Sequence, residues 1–378
     1  MRIFLPLIVL LLIVHVGHAQ VAYKQGTVYL DGGSTLTVRN GSLLRSENAF
    51  SNPSAPEVSR VGGTSSPVGV FAFDRLLVGV RAGYSHTWYG DSFFNGAAGS
   101  SENYRVNPFV RYYILAGEER KWNLFAELGF GTFGGGNLPS FETDFHVGAG
   151  VDVPLLPGVV GTARLAYNAN ASGLNFTTLD VGGNLLLGQL NPVVEVPLAK
   201  GTWTTQGRLI NASFGHMRRG NNNWTSYTYR FTPALGYFVL DGLLISSASS
   251  LTVTGEQNDL SSAWVTTRNE RQHHLETELA ARYYPWRGGK LLPFAAVSVG
   301  FRYSSLDRED NPSDLQSSST ILAASAGISY FLGDNVALEV AAEYQQSNNR
   351  GADFAVADPT SKFRQISLDT GFAFYFGR

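Results

Sequence analysis

The sequence predicts an all-β fold: a transmembrane antiparallel up-and-down β-barrel made of two eight-strand repeats. Three observations carry this expectation. Side chains alternate with period two over runs of roughly ten residues, the length of a tilted membrane strand. The connections between runs alternate between short and long. The whole pattern is written twice along the chain.

Composition narrows the field first. The 378 residues are 44% hydrophobic, 15% charged and 12% aromatic, with 42 Gly and no Cys. Soluble domains carry about 25% charged residues. Yet mean hydropathy is near zero, and past residue 20 no apolar run reaches the roughly 18–20 residues of a spanning helix. A helical membrane protein is excluded. So are a disulfide scaffold and a thiolate metal site. A net charge of −2 is no footprint for nucleic acid.

The N-terminus reads as an address. Met1-Arg2 is followed by an apolar stretch, Ile3 to Val16, then by Gly17-His18-Ala19. This is a secretory signal pattern, giving a signal peptide over 1–19 and a mature start at Gln20. Its removal takes Arg2 with it and moves the net charge to −3.

The strands follow from alternation. In Trp122–Phe133, the residues Trp122, Leu124, Ala126, Leu128 and Phe130 share one face. Asn123, Phe125, Glu127, Gly129 and Gly131 share the other. Phe141–Val153 and Val336–Tyr344 alternate in the same way. Side chains flip at every residue of a strand, so helical spacing makes no sense of these apolar sets. This reading places Leu128 against lipid and Glu127 inside. It expects Leu128→Arg to cost more than Glu127→Arg.

Short turns are expected at Phe73-Asp74-Arg75, Leu156-Pro157-Gly158, Asp241-Gly242 and Gly333-Asp334-Asn335. Long polar loops are expected at 39–66, 88–103, 254–272, 306–318 and 347–362. A membrane barrel sorts its loops in this way, with tight periplasmic turns and long outer loops.

The duplication follows paired segments in constant order. Phe73-Asp74-Arg75-Leu76-Leu77-Val78 recurs as Leu240-Asp241-Gly242-Leu243-Leu244-Ile245. Arg111-Tyr112-Tyr113 recurs as Arg282-Tyr283-Tyr284. Leu179-Asp180-Val181-Gly182 recurs as Leu368-Asp369-Thr370-Gly371. The first repeat covers 20–190 and the second 200–378. A periplasmic connector, 191–199, carries Pro192 and Pro197. The preferred closure is one sixteen-stranded barrel, because inward positions of the second repeat (Ala280, Ala296, Ser298, Ala341) are too small to fill an eight-stranded interior. The alternative is two tandem eight-stranded barrels.

Each repeat resembles the small outer-membrane β-barrel family, the eight-stranded barrels like the outer membrane protein A and X domains. The resemblance rests on Pro108-Phe109-Val110-Arg111-Tyr112-Tyr113, on Phe331–Glu339 and on the aromatic terminal strand with Phe372, Phe374 and Phe376. It implies the outer membrane of a Gram-negative bacterium, with membrane lipid and the outer-membrane assembly machinery as partners. The first repeat ends in LLLGQL and departs from the family there.

Candidate lumen-facing charges are Arg111, Glu127, Asp152, Arg164, Asp180, Glu278, Arg282, Glu339 and Asp369. Arg111 is expected to pair with Glu127, and Arg282 with Glu278 or Glu339. Such charges either bias which solutes pass or lock a plugged barrel. Candidate girdle aromatics are Tyr84, Trp88, Tyr112, Trp122, Tyr283, Trp286, Tyr330 and Phe376, since amphipathic rings favour headgroup depth. No catalytic, cofactor or metal site is expected. Adjacent His273 and His274 point apart on a strand. His146 beside Asp144 lacks a nucleophile. Gly134-Gly135-Gly136 lacks the Lys-Ser/Thr of a phosphate loop. The expected function is passive diffusion of small solutes through a polar lumen narrowed by long outer loops. The alternative is a non-conducting structural or surface-interaction barrel.

Overall fold

A computed structural model describes residues 22–377, apart from 33–35, 45–56, 90–98, 118–119, 136–141, 171–173, 191–192, 194–195, 207, 220–221, 260–267, 309–310 and 352–359. The expected signal peptide therefore lies outside the described residues. Regular structure among the described residues is all strand.

The first half holds β1 (Val28–Asp31), β2 (Leu36–Leu44), β3 (Glu57–Phe73), β4 (Leu76–Tyr89), β5 (Gly99–Leu115), β6 (Asn123–Gly135), β7 (Glu142–Leu156), β8 (Val159–Asn170) and β9 (Leu174–Leu187). The second half holds β10 (Trp203–Gln206), β11 (Arg208–Arg219), β12 (Asn222–Phe231), β13 (Ala234–Leu240), β14 (Leu243–Asp259) and β15 (Arg268–Tyr283). It continues with β16 (Leu291–Arg308), β17 (Asn311–Gly333), β18 (Val336–Gly351) and β19 (Thr360–Phe376). All neighbours pair antiparallel.

The ladder closes differently at its two ends. At the turn end β1 pairs with both β3 and β9, so β1 and β3 to β9 form an eight-stranded ring. There β10 likewise pairs with β13 and β19, closing a second eight-stranded ring with β14 to β18. At the loop end the first strand of each half changes partner. β2 pairs with β3 and with β19, while β11 pairs with β12 and with β9. The order there is β2 to β9, β11, β12, β14 to β19 and back to β2, a single ring of sixteen. The alternative of two eight-stranded barrels holds at the turn end, and the preferred closure is realised above it.

Most strands run longer than the expected ten, up to 23 residues in β17, whereas β1 and β10 hold four residues each. The segments expected as loops 39–66 and 306–318 are largely ladder, since β2 reaches Leu44, β3 starts at Glu57 and only residues 309–310 separate β16 from β17. Alternation marks the part of a strand that crosses lipid. Beyond the bilayer polar residues keep the backbone pairing with water on both faces, so the pattern stops before the strand does.

The turns are as tight as the sequence demands. Asp241-Gly242 links β13 to β14 with Gly242 at φ +76°. Asp74-Arg75 makes the equivalent turn between β3 and β4, and Arg75 adopts φ +67°. A side chain in that left-handed region costs about 1–2 kcal/mol.

Facing follows the alternation. Leu128 and Phe130 are 56% and 61% exposed, whereas Glu127 is 1% exposed. Val297, Val299, Leu322 and Ile366 also stand outside. So large an apolar outer surface is untenable in water and is what a bilayer requires.

One stretch of this outer face is covered. Val159 and Leu185 of the first half pack with Val336 and Phe374 of the second, all buried, with Phe372 and Phe376 beside them. The turn-end rings thus lie side by side through an apolar seam. Phe376, expected in a lipid-facing girdle, is partly buried in this seam instead. Alternation fixes which side of the wall a residue takes, not what covers that side.

Leu128→Arg should cost about 2–4 kcal/mol, the penalty for a charge near the bilayer midplane. Phe374→Ala, also outward, should cost about 3–5 kcal/mol through the cavity it leaves in the seam. Reversible urea unfolding in lipid vesicles, followed by Trp fluorescence, measures both.

Candidate functional site: two lumens with different linings

The first lumen is built around Glu127. Its strand neighbour on β5 is Arg111, directly opposite in register. Arg111 donates to Glu127 Oε2 from Nε at 3.0 Å and from Nη2 at 2.8 Å. Glu127 Oε1 accepts from Arg81 Nη2 at 2.5 Å and Arg164 Nη1 at 2.9 Å, with His146 Nε2 at 3.1 Å. Arg164 continues to Asp180, its partner across β8 and β9, at 2.6 Å. Arg105 pairs with Asp144, which also accepts from Asn107 Nδ2 at 3.3 Å.

Beneath this layer Asp152 is fully buried and accepts from Tyr113 at 2.7 Å and Thr162 at 2.6 Å. The Arg111 guanidinium lies over the Phe125 ring at 4.0 Å and donates to Tyr29. Inward glycines make room for these long side chains. A Cβ on Gly129 would run into the His146 ring. A carboxylate here is tolerable only because it is paired on both oxygens. Beside the network a cavity of about 280 Å³ is lined by Arg81, Arg105, Arg164, Asp31 and Asp180 among others.

Aromatic rings close the floor. Tyr23 stacks on Tyr113 at 4.0 Å, flanked by Phe71 and Phe125, all buried. Tyr23 lies on the short segment that precedes β1, and its carbonyl accepts from Arg75 N–H at 2.9 Å.

The second lumen repeats the plan with fewer charges. Arg282 donates to both oxygens of Glu339 at 2.8 Å and lies over Phe294 at 4.2 Å. Glu339 also accepts from Ser329 at 3.0 Å, and from Tyr375 at 3.3 Å and Tyr284 at 3.4 Å. Phe238, Phe294, Tyr284, Phe331 and Tyr375 form a buried aromatic floor. Val196 and Leu198, in the segment expected as a periplasmic connector, pack into that floor. The Leu198 carbonyl accepts from Gly242 N–H at 2.8 Å, as Tyr23 does from Arg75. Above the floor, Ala280, Ala296, Ser298 and Ala341 are half-exposed.

The expectation that small residues leave an eight-stranded interior poorly filled is thus corrected. The filling comes from the turn end, where rings from β13, β16, β17 and β19 meet Tyr284 just past β15, while the small residues lie above it. Arg282 selects Glu339 and not Glu278, which is inward and half-exposed. Asp369 accepts from Ser367 at 2.6 Å. His146 and Asp144 have different partners and form no dyad. His273 faces Asp307 at 3.8 Å, while His274 faces Glu276 at 3.6 Å. Tyr84, Tyr112, Trp122, Tyr283, Trp286 and Tyr330 are exposed on the outer face. The Trp88 side chain lies outside the described residues. Sequence reading does not single out Arg81 or Tyr29 and weighs His146 only as a partner of Asp144, although inward parity marks all three.

The geometry reverses one expectation. Glu127→Arg would set a fourth guanidinium among three with no carboxylate between them, so it should fail to fold. Glu127→Gln should cost about 3–5 kcal/mol, the penalty for breaking a buried pair. Glu278→Gln should be near neutral. Heat-modifiable gel migration and urea midpoints distinguish the three.

No protein-family profile and no curated sequence matches the chain. Solved structures do align with it. The outer membrane protein OprG of Pseudomonas aeruginosa is 15% identical, covers 49% of this chain and 100% of its own, at TM-score 0.26. The N-terminal β-barrel domain of Pseudomonas aeruginosa OprF is 14% identical over 47% of this chain and 98% of its own, at TM-score 0.24. OccAB3 of Acinetobacter baumannii is 10% identical over 93% and 99%, at TM-score 0.37. These superpositions are loose, so the assignment rests on the closed ladder, the outward apolar band and the sorted turns. The chain has the fold of an outer-membrane β-barrel.

Proposed function

We propose that this barrel works as a pair of outward-facing cups rather than as an open diffusion pore. The observation behind this reading is the aromatic floor of each lumen. Tyr113, Phe71 and Phe125 in the first, and Phe238, Phe331 and Tyr375 in the second, have no measurable exposure. The first cup is further filled by the Glu127 network and serves as a structural plug. The second is lined by small and polar residues above Arg282 and Glu339 and receives small polar solutes from the loop side. The barrel sits in the outer membrane of a Gram-negative bacterium. Lipid covers its apolar band, and the assembly machinery engages its terminal strand.

The porin-like reading, passive diffusion through a polar lumen, is favoured by one feature. In the second lumen Ala280, Ala296 and Ser298 keep partial exposure above the floor, so little more than the ring layer separates that space from the turn end.

Planar-bilayer conductance tests both. The folded chain should give no single-channel steps, while Tyr284→Ala combined with Phe331→Ala should give them, because the floor loses two rings. Stable steps from the unaltered protein would overturn the cup reading in favour of diffusion.

A further inference from the structure

The two halves meet at a junction where β1, β2, β9, β10, β11 and β19 exchange partners. Along β9 the partner is β1 from Leu187 to Asn184, and β11 from Gly182 to Leu174. Along β19 the partner is β10 from Phe376 to Ala373, and β2 from Asp369 to Lys362. Both changes fall at one level of the wall. Glycine recurs there among the described residues: Gly32 after β1, Gly182 and Gly183 in β9, and Gly371 in β19. The need for glycine is steric at Gly32, where a Cβ would meet the Gly183 carbonyl and the Phe374 ring of the other half. Small residues mark the close approach of backbones.

We infer that this junction is mobile, so that the outer mouth interconverts between one wide ring and two narrow ones. Each first strand already runs in register with its own half's last strand below the junction. Continued upward, that register sets Val38 opposite Thr177. The register shift between Arg208 and Ile210, kept in place, sets Ala212 opposite Leu368. The observed partners are Leu368 for Val38 and Leu179 for Ala212.

Each residue of travel exchanges one cross-half backbone pair for one own-half pair in each seam. The number of paired amides is therefore conserved throughout. Pulling a seam apart would instead leave amides bare in lipid at several kcal/mol each. Moving the junction toward the loops separates the mouths, and moving it toward the turns widens the shared one. The device is independent of whether either floor conducts.

The absence of cysteine makes disulfide trapping clean. Four double variants are folded into vesicles and oxidised: Val38→Cys with Leu368→Cys, Ala212→Cys with Leu179→Cys, Val38→Cys with Thr177→Cys, and Ala212→Cys with Leu368→Cys. Peptide mass spectrometry reads the yield against a non-adjacent control, Val38→Cys with Leu128→Cys. The first two should cross-link fastest. The last two should also cross-link well above the control, more slowly. A fixed junction would leave them at the control level, which overturns the proposal. Cross-linking of the last two alone would overturn the exchanged pairing itself. A pair that prevents folding is replaced by Asn40→Cys with Ile366→Cys for the cross-half seam, and by Asn40→Cys with Asn175→Cys for the own-half seam.

Discussion

A strand in lipid has no water to satisfy its edge, so every amide in the spanning wall must find another strand. The rest of this structure follows from that constraint. An eight-strand repeat can meet it alone by pairing its first strand with its last. Two repeats in one chain can also meet it together, because each last strand is an equally good partner for the other's first. This chain uses both solutions, at different heights of one wall. The turn end keeps two small rings, and the loop end merges them.

The height at which the solution changes is set by what fills the interior. Near the turns each small ring is packed with aromatic rings and with a segment of chain preceding its first strand, Tyr23 in one half and Leu198 in the other. Their matching carbonyl contacts to Arg75 and Gly242 hold these segments in the same place. A ring so filled cannot widen. Outward, Phe374 and Leu185 then bury each other where lipid would otherwise lie.

The two lumens divide charge unequally. Glu127 binds three guanidiniums and spends both of its carboxylate oxygens on them. Such a network holds a barrel in one arrangement better than it attracts a solute. In the second half one Arg282–Glu339 pair suffices above the floor, and Ala and Ser leave the space over it accessible. The two halves thus differ in lining, a charged network around Glu127 in one and small residues above a single Arg282–Glu339 pair in the other, through the side chains on a few inward positions.

Much of this was legible in the residues. Alternation assigned Leu128 outward and Glu127 inward because a strand turns each side chain over by geometry alone. Cross-strand neighbours such as Arg111 with Glu127 follow from hairpin register, which tight turns such as Asp241-Gly242 fix. The sequence by itself therefore determined the wall: strands, facing, turns and local pairs. Only the tertiary structure decided the closure, the choice of Glu339 over Glu278, the convergence of Arg81 and His146 on Glu127, and the burial of Phe376 in a seam. These depend on strands far apart in the chain, and period-two spacing carries no information about which distant strand a free edge will meet.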